Sequence, residues 1–344
     1  MPARLHRRNS RGAANQTGGL LIGLVNNMPD AAVRATERQF LGLLDTASGD
    51  IDVTLRFYSL PDIPRSDAAR ELFVGDYGTI DELAGAGIDG LIVTGTEPRT
   101  PELFEEPYWQ SLTALIDWAQ ANTISTVWSC LAAHAAVLHL DGINRRPLGD
   151  KLSGVFECTK THEHALVADA PASWRVPHSR YNELPHDELV ARDYQPLACS
   201  PLAGVDSFVK ECSSLFLFFQ GHLEYDSQSL LREYLRDITR FIDGHRADYP
   251  GLPTGYLDPD SERAFGEVRE TALARRNAKP MAATAASIAE RRLVNFWRSP
   301  AANIYGSWLA YIQQQKLARA LPNPRAHPRH GADQSISIRR RPSV

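Results

Sequence analysis

Along the first 140 residues the apolar positions switch back and forth between two repeat lengths. Residues 20–25 form a short unbroken apolar run ending in Asn-Asn-Met-Pro, the pattern of a buried strand that leads into a loop. Residues 31–44 carry Val33, Phe40, Leu43 and Leu44 at helical spacing, which makes one side apolar. Ile51, Val53, Leu55 and Phe57 alternate with polar neighbours and predict a strand. A glycine-bounded run at 90–95 predicts another buried strand, 108–121 a helix, 123–129 a strand and 131–140 the helix after it. This alternation predicts an α/β fold, a mostly parallel sheet with helices on both faces. Ligands in such sheets bind beyond the carboxyl ends of the strands, which here are residues 26–28, 94–99 and 129–130.

The middle of the chain is more strand-like, with short runs at 154–157, 174–179, 196–200 and 205–210, an apolar strand at 214–220 and a helix at 228–243. Residues 246–281 are rich in proline and charge and read as a surface connection. Residues 282–321 are helix-prone and carry Trp297, Tyr305, Trp308 and Tyr311, enough aromatic area to dock back on the body. The expected division is a disordered basic tail at 1–19, an α/β domain at 20–245, a linker with a C-terminal helical extension packed on that domain at 246–321, and a second disordered basic tail at 322–344.

Composition narrows the function classes. The apolar fraction of 43% suits a globular core, and no run approaches the ~18 apolar residues of a membrane span, so no membrane partner is expected. The four cysteines show no CxxC pair and no disulfide-framework spacing, which points to a reducing compartment and a cytoplasmic setting. The arginine-rich start lacks the apolar stretch of a secretory signal. Because both tails are basic, the body between them is more acidic than the formal net charge of −4. That balance excludes nucleic acid as a partner.

Cys130 stands where a buried strand meets a helix of small residues, Leu131-Ala-Ala-His-Ala-Ala136. A thiol on that turn projects above the sheet edge at a helix N-terminus, where partial positive charge favours a thiolate. The amide of Leu131 is a candidate oxyanion donor. Position alone leaves a buried, inert cysteine equally open. His222 tips the balance, because it also emerges at a strand end, after Gly221, which would let the chain turn sharply. Glu224 lies two residues on and can orient the imidazole. His134 and His139 read as structural, and Cys158, Cys199 and Cys212 as filler. His162 and His164 lack an accompanying ligand cluster, so no metal is expected.

These residues sit among motifs that resemble the homoserine O-acyltransferases, also called homoserine transsuccinylases. They include Asn27-Met28-Pro29, Thr36-Glu37-x-Gln39-Phe40, Asp89-Gly-Leu-Ile-Val-Thr-Gly95 and Tyr108-Trp109. Ser125-Thr126, Lys151-Leu-Ser-Gly-Val-Phe-Glu157, Pro177-His-Ser-Arg-Tyr181, Gly221-His-x-Glu-Tyr-Asp226 and Glu233-Tyr-x-Arg-Asp237 come next, then Trp297-Arg-Ser and Trp308-Leu-Ala-Tyr311. The resemblance covers about residues 20–312. It implies a flavodoxin-like sheet similar to that of class I glutamine amidotransferases, with a Cys130, His222, Glu224 triad. It also implies no bound cofactor, acyl-CoA (succinyl-CoA or acetyl-CoA) as co-substrate, and an acyl thioester on Cys130 passed to the homoserine hydroxyl for methionine synthesis. Lys151, Ser179 and Arg236 match positions that contact substrate in the family, and the expected assembly is a homodimer. Three departures stand out. Asp30-Ala31-Ala32 replaces the usual lysine pair, Leu131 the usual tryptophan, and Arg99 the residue that separates succinyl (glycine) from acetyl (glutamate) donors.

Succinyl transfer to homoserine is therefore the leading expectation, with Arg99 pairing the free carboxylate of the succinyl group. Acetyl-CoA as donor, serine as acceptor, a glutamine amidotransferase-like hydrolase and a non-catalytic binding protein are the alternatives. Against the hydrolase, Trp128 and Ala132 stand where amidotransferase elbows carry glycines. Against the binding protein, all three triad residues are present.

Overall fold

The computed structural model describes residues 6–7, 19–275 and 277–321. In chain order the elements are β1 (His6–Arg7), β2 (Leu20–Val25), α1 (Asp30–Ala47), β3 (Val53–Tyr58), α2 (Asp67–Asp76), α3 (Ile80–Ala84), β4 (Gly90–Val93), α4 (Trp109–Asn122), β5 (Ser125–Ser129) and α5 (Leu131–Asp141). They continue as β6 (Arg146–Lys160), β7 (Ser173–Glu183), α6 (His186–Val190), β8 (Gln195–Ser200), β9 (Gly204–Glu211), β10 (Leu215–Phe219), α7 (Ser229–Ile242), α8 (Pro259–Arg275), α9 (Lys279–Glu290) and α10 (Arg298–Ala320).

All ten strands join one sheet, in the order β1-β3-β2-β4-β5-β10-β9-β8-β6-β7. From β1 through β5 to β10 the neighbours are parallel, and from β10 to β7 they are antiparallel. The sheet is thus mixed, and its parallel half is the one with strand–helix alternation. Its other half has connections without a crossover helix, such as the tight Gly204 turn between β8 and β9, which suit antiparallel pairing. β2, β4, β5 and β10 are buried along their full length, as strands covered on both faces must be. One face packs against α1 and α10, with Phe40, Leu44, Tyr305 and Trp308 in the core. The other packs against α4 and α5 through Leu112, Ile116, Ala132 and Ala136.

The segment expected as a surface connection, 246–281, holds the seventeen-residue helix α8. Its start is legible in retrospect. Asp258 accepts hydrogen bonds from the amides of Asp260 (3.0 Å) and Ser261 (3.3 Å), and Pro259 occupies the first turn, where no amide proton is needed. Phe265, Val268 and Ala272 then recur at helical spacing and pack with α7 and α9 around Tyr234 and Ala286. Of the expected tails at 1–19 and 322–344, all but His6, Arg7 and Gly19 lie outside the described residues; His6 and Arg7 pair as an edge strand with Thr54 and Leu55.

The helical extension is anchored by Trp308, which is fully buried and donates its indole proton to Ser125 Oγ at 2.9 Å. Trp308→Ala should cost about 3–5 kcal/mol, the usual range for deleting a buried tryptophan. Equilibrium urea unfolding measures this, and a loss below about 1 kcal/mol would show that α10 does not complete the core.

Candidate active site

β5 and β10 are adjacent and parallel, and their last residues, Ser129 and Phe219, are paired in register. The loops leaving the two strands therefore emerge side by side on one rim of the sheet. After β5 comes Cys130, with φ 52° and ψ −115°, a backbone state that non-glycine residues rarely adopt. Such strain costs on the order of 1–3 kcal/mol and persists where the surroundings impose it. Here the Cys130 amide donates to Phe219 O of β10 at 2.7 Å, and Cys130 O accepts from Ala133 N in the first turn of α5.

After β10 comes Gly221, then His222. The chain bends at Gly221, as expected from the sequence, but without a positive φ, so the need for glycine there is not one of backbone freedom. It is a matter of space, because a Cβ there would lie 2.5 Å from Val176 Cγ1 and 2.6 Å from Asp206 Oδ1. His222 donates its amide to Pro177 O at 2.8 Å, and its ring stacks on Tyr225 with centroids 4.2 Å apart. Nδ1 is bonded to Glu224 Oε1 at 2.8 Å, and Cys130 adds both charge and a hydrogen bond to the imidazole. Burial pulls the His222 pKa down, but Glu224 and Cys130 outweigh it and hold it well above its usual 6.5. A histidine raised in this way contributes stability that is complete below about pH 6.5 and lost as pH rises through the elevated value.

Cys130, His222 and Glu224 line a cavity of about 350 Å³ together with Leu131, Lys151, Ser179 and Arg236. Gly95 keeps the start of α5 open, since a Cβ there would come within 3.0 Å of Leu131 N. Lys151, Ser179 and Arg236 converge on the start of α7. Lys151 Nζ binds Asp237 Oδ2 at 2.8 Å and Glu233 Oε2 at 3.3 Å, and Ser179 donates to the same Glu233 oxygen. Tyr225 OH donates to the other. Burial pushes the Glu233 pKa up, but Lys151 with the Ser179 and Tyr225 hydroxyls brings it below its ordinary value, so the carboxylate is charged. Arg236 is half-exposed, 3.4 Å from Asp237 Oδ1.

Arg99 stands apart from this group. It lines a neighbouring depression of about 300 Å³ with Tyr108 and Pro64, and its amide donates to Glu106 Oε1. Thr96, Glu97 and Pro98 of the same loop border both hollows. Glu97 reaches across to Arg240 of α7 at 3.0 Å.

Several residues of the site carried no role in the sequence reading. Glu233, Asp237 and Arg240 recur at helical spacing on α7, a polar stripe that could have been read as a cavity wall. Arg145 also lines the cavity, from the loop after α5, and no local pattern marks it. Beneath Gly221, Cys158, His178 and Asp206 bring three ligand-type atoms within 4.8 Å of one another, wholly buried. These residues come from β6, β7 and β9, so their meeting is visible only once the strands are paired. His178 Nε2 lies 3.3 Å from Asp206 Oδ1. The cluster faces the underside of the His222 turn, and none of its three residues lines the Cys130 cavity.

Comparison with known proteins adds an independent finding. A family model described as homoserine O-succinyltransferase matches residues 5–319. A homoserine O-succinyltransferase of Rhodopseudomonas palustris is 54% identical over 256 residues, covering 74% of this chain and 77% of that protein. One from Methylorubrum extorquens is 45% identical over 298 residues, covering 86% and 88%. Among solved structures, a glutamine amidotransferase from Methylobacillus flagellatus is 14% identical with a TM-score of 0.46, over 86% of this chain and 96% of that one.

Glu224 acts together with Cys130 to hold the His222 pKa up against burial. In Glu224→Gln the imidazole should titrate at lower pH than in the wild type, followed by NMR of its ring proton or nitrogen. An unshifted His222 titration would remove Glu224 from that role.

Proposed function

The chain belongs to the homoserine O-succinyltransferase family, and from that premise we propose that it moves a succinyl group from succinyl-CoA to the hydroxyl of L-homoserine through a thioester on Cys130. The observation that carries this reading is the meeting of Cys130, the Glu224-oriented His222 and a charged amino-acid-sized wall on α7 in one cavity. In the first half-reaction the Cys130 thiol gives its proton to His222 and its sulfur attacks the thioester carbonyl, forming a carbon–sulfur bond. The resulting oxyanion meets the Leu131 amide at the helix start. The bond to CoA then breaks, and the departing CoA sulfur takes a proton from His222. In the second half-reaction His222 removes the proton of the homoserine hydroxyl, the oxygen attacks the acyl carbonyl, and Cys130 leaves.

The amino-acid end of the acceptor requires two opposite charges. Arg236 offers a planar fork to the carboxylate, for which lysine is no substitute. Glu233, held ionised by Lys151, Ser179 and Tyr225, offers the ammonium group a fixed negative partner. Lys151 and Ser179 thus act on the substrate through the carboxylate they position. Four unpaired cysteines and an acyl-CoA substrate fit a cytoplasmic enzyme.

Succinyl-CoA alone should add one succinyl mass to Cys130, and homoserine should discharge it. Cys130→Ala should show neither adduct nor turnover in intact-mass and ping-pong assays, whereas near-normal activity in that variant would overturn the mechanism. Arg236→Lys should mainly raise the homoserine KM, by roughly tenfold for the loss of one of the fork's two charge-assisted hydrogen bonds. An unchanged acceptor KM would remove Arg236 from the site.

A further inference from the structure

Five cations line the Cys130 cavity, namely Arg145, Lys151, Arg180, Arg236 and Arg240. Four of them are already engaged. Lys151 and Arg236 are bound to acids of α7, and Arg240 pairs with Glu97. Arg180 is buried and spends its guanidinium on the carbonyls of Asn182 and Ala203 and on His178 Nδ1. Arg145 differs. Among the described residues its guanidinium makes one hydrogen bond, from Nη2 to Pro101 O at 2.8 Å, and no ion pair.

Its place in the cavity differs too. Lys151, Arg236 and Arg240 crowd against α7, where the acceptor wall lies. Arg145 lies just after α5 and is hydrogen-bonded to the loop after β4 rather than to α7. Glu102, Glu106 and Cys130 are all close enough to act on its charge. Glu106, however, spends one oxygen on the amides of Arg99 and Thr100, and neither Glu102 nor Glu106 forms an ion pair with Arg145 among the described residues. A partly buried guanidinium with one neutral acceptor is an incomplete arrangement, and a ligand carboxylate would complete it.

We propose that Arg145, rather than Arg99, binds the distal carboxylate of the acyl group and makes the enzyme selective for a dicarboxylic acyl donor. The inference rests on the acyl-transfer reading above. A four-carbon diacyl chain on Cys130 places its free carboxylate two methylenes beyond the thioester carbonyl. With the acceptor held at α7 and the other lining cations engaged, Arg145 is the partner left for that carboxylate. An acetyl group ends short of Arg145 and leaves it as it is in the free enzyme. The two carboxylates of the reaction thereby meet different arginines, the donor's at Arg145 and the acceptor's at Arg236.

The test is single-turnover acylation of Cys130 with succinyl-CoA and with butyryl-CoA, in which a methyl group replaces the carboxylate. Arg145→Gln keeps a donor for Pro101 O and removes the charge. It should lower the succinyl-over-butyryl rate ratio roughly ten- to hundredfold, the value of a charge-assisted hydrogen bond, while butyryl-CoA still reacts. Arg145→Lys, which keeps the charge but not the planar fork, should give a ratio between those of wild type and Arg145→Gln, and Arg99→Ala should leave it within about threefold of wild type. An unchanged ratio in Arg145→Gln, or equal loss of both acylation rates, would overturn the proposal, the second outcome marking Arg145 as structural. A ratio lost in Arg99→Ala but kept in Arg145→Gln would return the role to Arg99. A wild type acylated by neither donor would instead remove the acyl-transfer reading on which this one stands.

Discussion

The site depends on one pairing, the parallel register that sets Ser129 of β5 beside Phe219 of β10. It brings Cys130 and His222 together although they are 92 positions apart in the chain. The same contact strains the nucleophile, because Phe219 O accepts the Cys130 amide and so helps hold φ positive. A slip of one residue would reverse which side chains face α10 and which face α4. Burial on both faces of these strands therefore specifies the catalytic geometry as well as the core.

Charge is layered around that pairing. Glu224 sits behind His222 and keeps a cationic imidazole favourable despite burial. One turn of chain further, Glu233 is fixed by a lysine and two hydroxyls, and Asp237 by the same lysine with Arg236 and Arg246 nearby. Below the His222 turn lie His178 and Asp206, filling the space that a side chain on residue 221 would need. This pair is therefore part of what makes glycine necessary at 221.

The legibility of the molecule tracks the range of the interactions involved. The parallel half of the sheet shows itself in periodicity because each strand and helix buries a local pattern of side chains. Cys130, His222 and Glu224 are visible because each stands at the end of an apolar run or within a few residues of one. The antiparallel half gives short, poorly oriented runs, and α8 hides behind proline and charge although its cap is written in Asp258 and Pro259. What no local pattern reveals is where loops meet. Arg99 looks equivalent to Cys130 as a residue on the strand-end rim, yet the bonds from its own and the Thr100 amide to Glu106 accompany its turn into a separate hollow. Arg145 looks like a loop cation and reaches the cavity.

The indole of Trp308 and the hydroxyl of Ser125 are 183 positions apart in the chain. During synthesis the strands that carry the nucleophile exist long before the helix that covers their α1 face. At a translation rate of 5–20 residues per second that interval is roughly 10–40 s. Throughout it, Leu24, Ile92 and Val127 lack the cover that α10 gives the finished fold. The α10 side of the sheet is therefore the last part of the core that the growing chain can complete.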